Sequence, residues 1–206
     1  GSLAGSTGGV PSFGTSGLMT INFGTGDAAY GITRQTDGKL IVAGSDGVDM
    51  AMARILATGT LDTSFKTTGK VTLNFAGPDE ARTVAMQTDA KVLIAGSNGS
   101  QEWALARFNT DGSLDTSFKT TGSLTTTSFA YPNNTPYALL VNADGTIVAV
   151  GAGGHAVALA RYLTDGSLDT AFATIGRVLT TDLSSVGNPG HANAYAAALH
   201  SGGTFL

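Results

Sequence analysis

Apolar positions along this chain come in short runs and lack helical spacing. In one representative stretch the runs cover residues 70–75, 81–87, 91–97 and 103–108, with Gly, Asp, Asn or Pro at each junction. Runs of this length bounded by turn residues read as β-strands. No segment keeps a 3.6-residue apolar period over three turns, so helix is disfavoured. The dipeptides Asp37-Gly38, Asp111-Gly112, Asp144-Gly145 and Asp165-Gly166 lie between apolar runs. There Asp-Gly supplies the positive φ angles that tight hairpins demand, so successive strands are predicted to be antiparallel neighbours. The alanines of residues 193–200 have helical propensity, yet they align with residues 28–35 in the strand register.

The same units recur. Arg54, Arg107 and Arg161 each follow an apolar-Ala pair and precede a Leu-Asp-Thr-(Ser/Ala)-Phe phrase ending at Phe65, Phe118 and Phe172. A second phrase runs Leu40-Ile41-Val42-Ala43-Gly44-Ser45, Val92-Leu93-Ile94-Ala95-Gly96-Ser97 and Ile147-Val148-Ala149-Val150-Gly151-Ala152. A degraded fourth start, Phe13-Gly14 with Gly17, lines up with Phe65 and Gly69. Four strands repeated about every 53 residues are the signature of a β-propeller blade. The expectation is an all-β fold: one propeller domain over residues 1–206, with four-stranded antiparallel blades near 10–56, 61–108, 114–162 and 168–206. A β-sandwich would not require the same arginine, turn and glycine in each quarter of the chain.

The repeated phrases Ala-Arg, Asp-Gly-Ser-Leu-Asp-Thr-Ser-Phe, Thr-Gly and Asp-Gly-Lys with Ile-Val-Ala-Gly-Ser, as in residues 37–45 and 105–122, resemble the delta-sixty repeats of bacterial extracellular β-propeller proteins. That resemblance covers nearly the whole chain. It implies a secreted or cell-surface setting, often inside a longer protein, and implies no reaction.

Composition narrows the function classes. The chain has 206 residues with 42% apolar, 13% charged and 29 glycines, so it is built to fold and not to remain disordered. A net charge of −4 argues against nucleic-acid binding, which needs clustered Lys and Arg. No apolar run is long enough for a membrane span. The N-terminal residues have neither a basic nor an apolar signal region, so any signal peptide is expected to have been removed or never present. With no cysteine, disulfides, thiolate zinc sites and a cysteine nucleophile are excluded.

Residues found at one place in every repeat are assigned to the scaffold. Each repeated arginine is expected to form a bidentate contact with Asp62, Asp115 or Asp169 in the following turn. Turn capping by those aspartates is preferred over calcium ligation. Phe13, Phe65, Phe118 and Phe172 are expected to plug the joints between blades. Asp79-Glu80, after Pro78, reads as a solvated turn. The residues that do not repeat are the candidates for ligand binding: Trp103, Tyr131, Asn133, His155 and His191. Trp103 occupies a position held elsewhere by Met50 and Val157, so core packing competes with sugar stacking there. Tyr131 and Asn133 lie in a Pro/Asn loop, read first as a variable loop, where an exposed aromatic is also suited to a glycan face. The histidines have no metal-binding spacing, and no cofactor or metal is expected.

The ends are informative too. Thr204-Phe205-Leu206 align with Lys39-Leu40-Ile41 inside a strand, and Leu3-Ala4-Gly5-Ser6 resembles Val42-Ala43-Gly44-Ser45. Leu3, Ala4, Thr204, Phe205 and Leu206 are therefore candidate assembly residues. They would close the last blade within the chain, continue into a larger parent propeller, or pair between subunits in a homo-oligomer or filament. The leading functional expectation is a non-enzymatic extracellular scaffold or assembly module. A glycan- or protein-binding propeller is the alternative. A propeller lyase or hydrolase comes third and would require His155, His191 and carboxylates to converge.

Overall fold

The computed structural model describes residues 13–126, 129, 133–154, 156–173, 175–180 and 194–198. All regular elements among them are strands, in three four-stranded antiparallel sheets. The first holds β1 (Ala28–Arg34), β2 (Leu40–Ser45), β3 (Met50–Ile55) and β4 (Lys70–Leu73). The second holds β5 (Glu80–Met86), β6 (Val92–Ser97), β7 (Trp103–Phe108) and β8 (Ser123–Thr126). The third holds β9 (Thr135–Val141), β10 (Ile147–Gly153), β11 (Ala156–Tyr162) and β12 (Arg177–Leu179). Within each sheet the strands lie side by side in chain order.

The sheets are blades, and β1, β5 and β9 are their inner strands: β5 packs against β1 on one side and β9 on the other. Blade boundaries fall one strand later than the sequence repeat implies. The run beginning at Lys70 pairs with Met50–Ala53 and so closes the first sheet instead of opening the second. Of the fourth repeat, residues 181–193 and 199–206 lie outside the described residues.

The second blade has two apolar faces, because it is covered on both sides by neighbours. Ile41, Ala43, Met50 and Met52 of the first blade meet Val92, Ile94, Ala104, Ala106 and Phe108 of the second in one core. Leu93, Ala95, Trp103 and Leu105 on the other face of the second blade meet Ile147, Ala149, Ala158, Ala160 and Tyr162 of the third. This explains why β6 and β7 read as continuous apolar runs with no in/out alternation.

The repeated arginine ties blades together at the rim that carries the β1–β2 and β3–β4 turns, here the lower rim. Arg54 Nε donates to Asp62 Oδ2 at 2.8 Å, its Nη2 donates to Ser64 Oγ at 3.0 Å, and its Nη1 donates to the Thr110 carbonyl of the next blade. The second Asp62 oxygen caps the turn by accepting the Ser64 N–H and hydroxyl at 3.1 and 2.6 Å. The contact is therefore a single Nε–carboxylate bond and not the bidentate pair expected from sequence, because the turn itself uses the other oxygen. Arg107, Asp115, Ser117 and Thr164 repeat the arrangement one blade on. Each guanidinium also lies over the ring of its repeat's phenylalanine, 4.5 Å for Arg54–Phe65 and 4.7 Å for Arg107–Phe118. Phe65 and Phe118 are fully buried and press on Gly112 and Gly166 of the following blade, as plugs should. The Phe13 segment makes the same joint with the first blade: Gly14 N donates to Thr58 O as Lys66 N does to Asp111 O.

The hairpin turns use Asp and Gly separately. Gly38, Gly112, Gly145 and Gly166 have φ between 82° and 88°, whereas none of the four aspartates before them has positive φ. Each Asp instead accepts the N–H two residues on, from Lys39, Ser113, Thr146 and Ser167. At the equivalent β5–β6 turn the glycine place holds Ala90, at φ 64°. An L-residue in that conformation costs about 1–2 kcal/mol, partly offset by the greater freedom of an unfolded glycine. Ala90→Gly is therefore expected to stabilise the protein by about 0.5–1 kcal/mol, measured by urea denaturation.

Candidate functional site

Two features stand outside the repeated scaffold: the upper rim around the inner strands, and the uncovered face of the first blade.

At the upper rim each inner strand carries a β-bulge. The register slips between Ala29 and Gly31, between Ala81 and Thr83, and opposite Val150/Gly151, so Tyr30, Arg82 and Tyr137 are the extra residues. Bulges re-aim side chains, and these three occupy equivalent places in successive blades. Arg82 stacks 4.0 Å over the Tyr30 ring and pairs with Glu80, which also accepts the Tyr30 hydroxyl at 3.2 Å. Burial, then the Glu80 charge, pushes the Tyr30 hydroxyl above its ordinary value. Tyr195 packs on Tyr137 at 4.8 Å between ring centroids.

Asp79 corrects the reading of a solvated turn. It is fully buried, its carboxylate accepting the Phe75 N–H at 2.5 Å and the Gly99 N–H at 3.2 Å. Burial outweighs these two bonds and raises its pKa above the ordinary carboxylate value. Its backbone N–H donates to Val48 O, so the residue locks the β4–β5 connection onto two neighbouring turns.

Between the second and third blades the same region opens into a cleft of about 400 Å³ bounded by Gln101, Asn133, Asn134, Thr135 and Tyr137. The Asn133 N–H donates to Gln101 Oε1 at 2.8 Å across the two blades, and both residues hold positive φ, 68° and 59°.

Of the sequence candidates, Asn133 is in this cleft. Trp103 is not: it is fully buried in the core between blades, with its indole N–H donating to Ala152 O at 3.0 Å and its ring 4.6 Å from Phe129. The indole is therefore core, with no face left for a sugar. Tyr131, His155 and His191 lie outside the described residues, as do Leu3, Ala4, Thr204, Phe205 and Leu206. Among the described residues no His, Asp and Glu cluster is arranged to hold a metal. Among the same residues no helix is long and apolar enough to cross a membrane. Gln101 and Tyr137 were missed because the chemistry rests on a turn and a bulge brought together from different blades; the replacement of Arg82 by Tyr137 at one repeat position was the available signal.

The second feature is a hollow of about 420 Å³ against the first blade, lined by Leu40, Val42, Ala51, Ala53 and Ile55 and bordered by Met19, Ile21 and Phe23. Ile32 beside it is 65% exposed. The five lining residues are the repeat equivalents of Val92, Ile94, Ala104, Ala106 and Phe108, the second blade's contribution to its joint with the first. Met19, Ile21 and Phe23 are the equivalents of Val71, Leu73 and Phe75 in and after β4. The likeness extends to a capping bond: Phe23 N donates to Asp27 Oδ2 as Phe75 N does to Asp79 Oδ2. The hollow is thus a blade joint with the outermost strand position of the preceding blade occupied.

Three segments, residues 35–65, 87–118 and 142–172, match the family model described as a domain of unknown function (DUF5122) beta-propeller. The chain is a β-propeller repeat protein. No curated protein matches it. Among solved structures this propeller is similar to a catalytically inactive variant of virginiamycin B lyase from Staphylococcus aureus with quinupristin, at 17% identity and a TM-score of 0.44, covering 71% of this chain and 42% of that one. It is similar to a streptogramin B lyase at 12% identity and a TM-score of 0.41, covering 65% and 40%. A protein of unknown function from Bacteroides caccae follows at 10% identity and a TM-score of 0.32, covering 74% and 72%. The propeller spans less than half the length of the lyases.

Proposed function

We propose that this propeller is a non-enzymatic scaffold module that self-associates, another copy of the chain supplying strands that fill the hollow on the first blade. The observation that carries the reading is the identity of the lining. Leu40, Val42, Ala51, Ala53 and Ile55 sit where the second blade uses Val92, Ile94, Ala104, Ala106 and Phe108 to bury its neighbour. A face of that composition is complementary to a blade of the same repeat, whose apolar side is the Ile41, Ala43, Met50 and Met52 type. Such a contact is head-to-tail and gives a ring or a filament according to its rotation. The arginine, aspartate and phenylalanine of the first two repeats are engaged in blade joints, which is what a structural role requires. The resemblance to delta-sixty repeats supports a secreted or cell-surface setting for such an assembly.

Light scattering on the full chain tests it. Assemblies larger than the 20.7 kDa monomer are expected, and Ile32→Lys and Val42→Asp are expected to return them to monomers. Ile32 is exposed, so its substitution keeps the fold and separates lost assembly from lost folding. A wild-type chain that stays monomeric at all concentrations would overturn the reading and leave closure to the chain's own fourth repeat.

A further inference from the structure

We infer that the cleft between the second and third blades is a binding site for a neutral saccharide. The inference goes beyond the assembly reading and stands on different residues.

The two upper-rim joints are built from equivalent positions, and comparing them isolates what is special to one. At the joint between the first and second blades the places hold Asp79, Glu80 and Arg82. There they satisfy one another and the backbone: Arg82 with Glu80 and Tyr30, and Asp79 with Phe75 and Gly99 N–H groups. At the next joint the same places hold Asn134, Thr135 and Tyr137, so all three charges are replaced by an amide, a hydroxyl and a phenol. A cleft of about 400 Å³ is found at this second joint, with Gln101 and Asn133 on its wall and no charged side chain among the described residues that line it. That volume is within the range of small-ligand sites.

The chemistry of this lining is specific. The Asn133 amide presents a donor and an acceptor side by side, which matches hydroxyl groups that both donate and accept. Tyr137 adds an aromatic body with a polar tip, suited to the apolar C–H face of a sugar ring, and Tyr195 backs it. Among the described residues of the wall a cationic ligand would meet no carboxylate and an anionic one no cation. The wall is also held in place. Gln101 and Asn133 both sit in the left-handed backbone region, and the bond between them, from Asn133 N–H to Gln101 Oε1, spans the two blades. Strain of this kind persists where surrounding structure fixes it, and it clusters at ligand sites. Only the Gln101 carbonyl oxygen is used in that bond, so the residue braces the cleft while its Nε2 amide supplies two further donors.

The test is a glycan array probed with the full chain, followed by calorimetric titration of any neutral oligosaccharide retained. Binding of neutral sugars is expected, with at least a tenfold loss in Tyr137→Ala and in Gln101→Ala. Tyr30→Ala alters the equivalent bulge position of the first blade and is expected to bind as wild type. Thermal denaturation of each variant separates a lost site from a lost fold, and Gln101→Asn, which keeps the amide on a shorter stem, is expected to bind with intermediate affinity. Retention of no neutral saccharide, preference for acidic glycans, or affinities unmoved by both Tyr137→Ala and Gln101→Ala would each overturn the inference. Since the assembly variants lie on the first blade, light scattering and sugar binding fail or succeed independently.

Discussion

Asp62→Asn is expected to lower the unfolding free energy by about 3–5 kcal/mol at neutral pH, the usual cost of leaving one member of a buried ion pair without its partner. Arg54 and Asp62 are 6% and 5% exposed, so water cannot replace the lost carboxylate. If the asparagine keeps its oxygen on the Ser64 N–H, its NH₂ group faces Arg54 Nε, and two donors meet where a donor met an acceptor. The damage crosses to the next blade, because the same guanidinium holds the Thr110 carbonyl. Asp115→Asn should cost a similar amount. Asp169→Asn should cost much less, about 1 kcal/mol, since the Arg161 side chain of that pair is 29% exposed and solvent screens the pair. Urea denaturation of the three variants measures the difference, and equal losses at all three positions would refute burial as the cause.

The acid limb carries the same signature. Burial alone would raise the Asp62 carboxyl, but the Ser64 hydroxyl and N–H, then Arg54 and Lys39, hold it down at about 2. Asp115 is likewise held well below the ordinary value, against burial, by Ser117, Lys91 and Arg107. A carboxyl depressed on folding contributes stability that is fully present above its unfolded value of about 3.9 and is lost as pH falls through the folded value. For Asp62 that contribution is on the order of 2 kcal/mol. Wild-type stability should therefore fall between about pH 4 and pH 2, and the deficit of Asp62→Asn relative to wild type should shrink over the same interval.

What could be read in the sequence divides along the range of the interaction. The strand runs, the repeat length and the contact from Arg54 to Asp62, eight residues away, are local and left a periodic trace. The second role of Arg54, on Thr110 of the next blade, is non-local and shows only once the blades are packed. Asp79 misled for the same reason: a Pro78-Asp79-Glu80 turn looks solvated until the Gly99 turn of its own blade closes over it. Trp103 did not repeat in sequence, yet it fills the place of Met50 and Val157 with a larger core side chain. Its lack of repetition therefore marked packing volume at one joint and not a ligand. The informative departures were quieter, the change from Asp79, Glu80 and Arg82 to Asn134, Thr135 and Tyr137. Their trace in the sequence gains meaning once the bulged register identifies which residues are equivalent.

Gly96→Ala is expected to be at least as damaging as the loss of a buried ion pair, although it adds a single methyl group to a strand. Gly44, Gly96 and Gly151 are the fifth residue of the repeated apolar phrase, and none has a positive φ, so backbone conformation does not explain them. Their reason is the bulge opposite. A Cβ on Gly96 would lie 1.7 Å from the Glu80 carbonyl oxygen, 2.7 Å from its carbon and 2.9 Å from Ala81 Cα, all backbone atoms with no rotamer to yield. To admit the methyl group, β5 must draw away from β6, yet β5 is also packed between β1 and β9 and cannot move without opening both blade joints. Overpacking ordinarily costs about 1–3 kcal/mol, and a clash confined to backbone belongs at or beyond the upper end. Gly24→Ala is the matched control, because a Cβ there meets nothing within 4 Å and its φ is not in the left-handed region. Denaturation midpoints that fall steeply for Gly96→Ala and stay put for Gly24→Ala would assign the repeated glycine to the bulge. Equal, small effects would mean that the inner strand is free to shift, and that the bulge residues Tyr30, Arg82 and Tyr137 are not held in fixed positions around the rim.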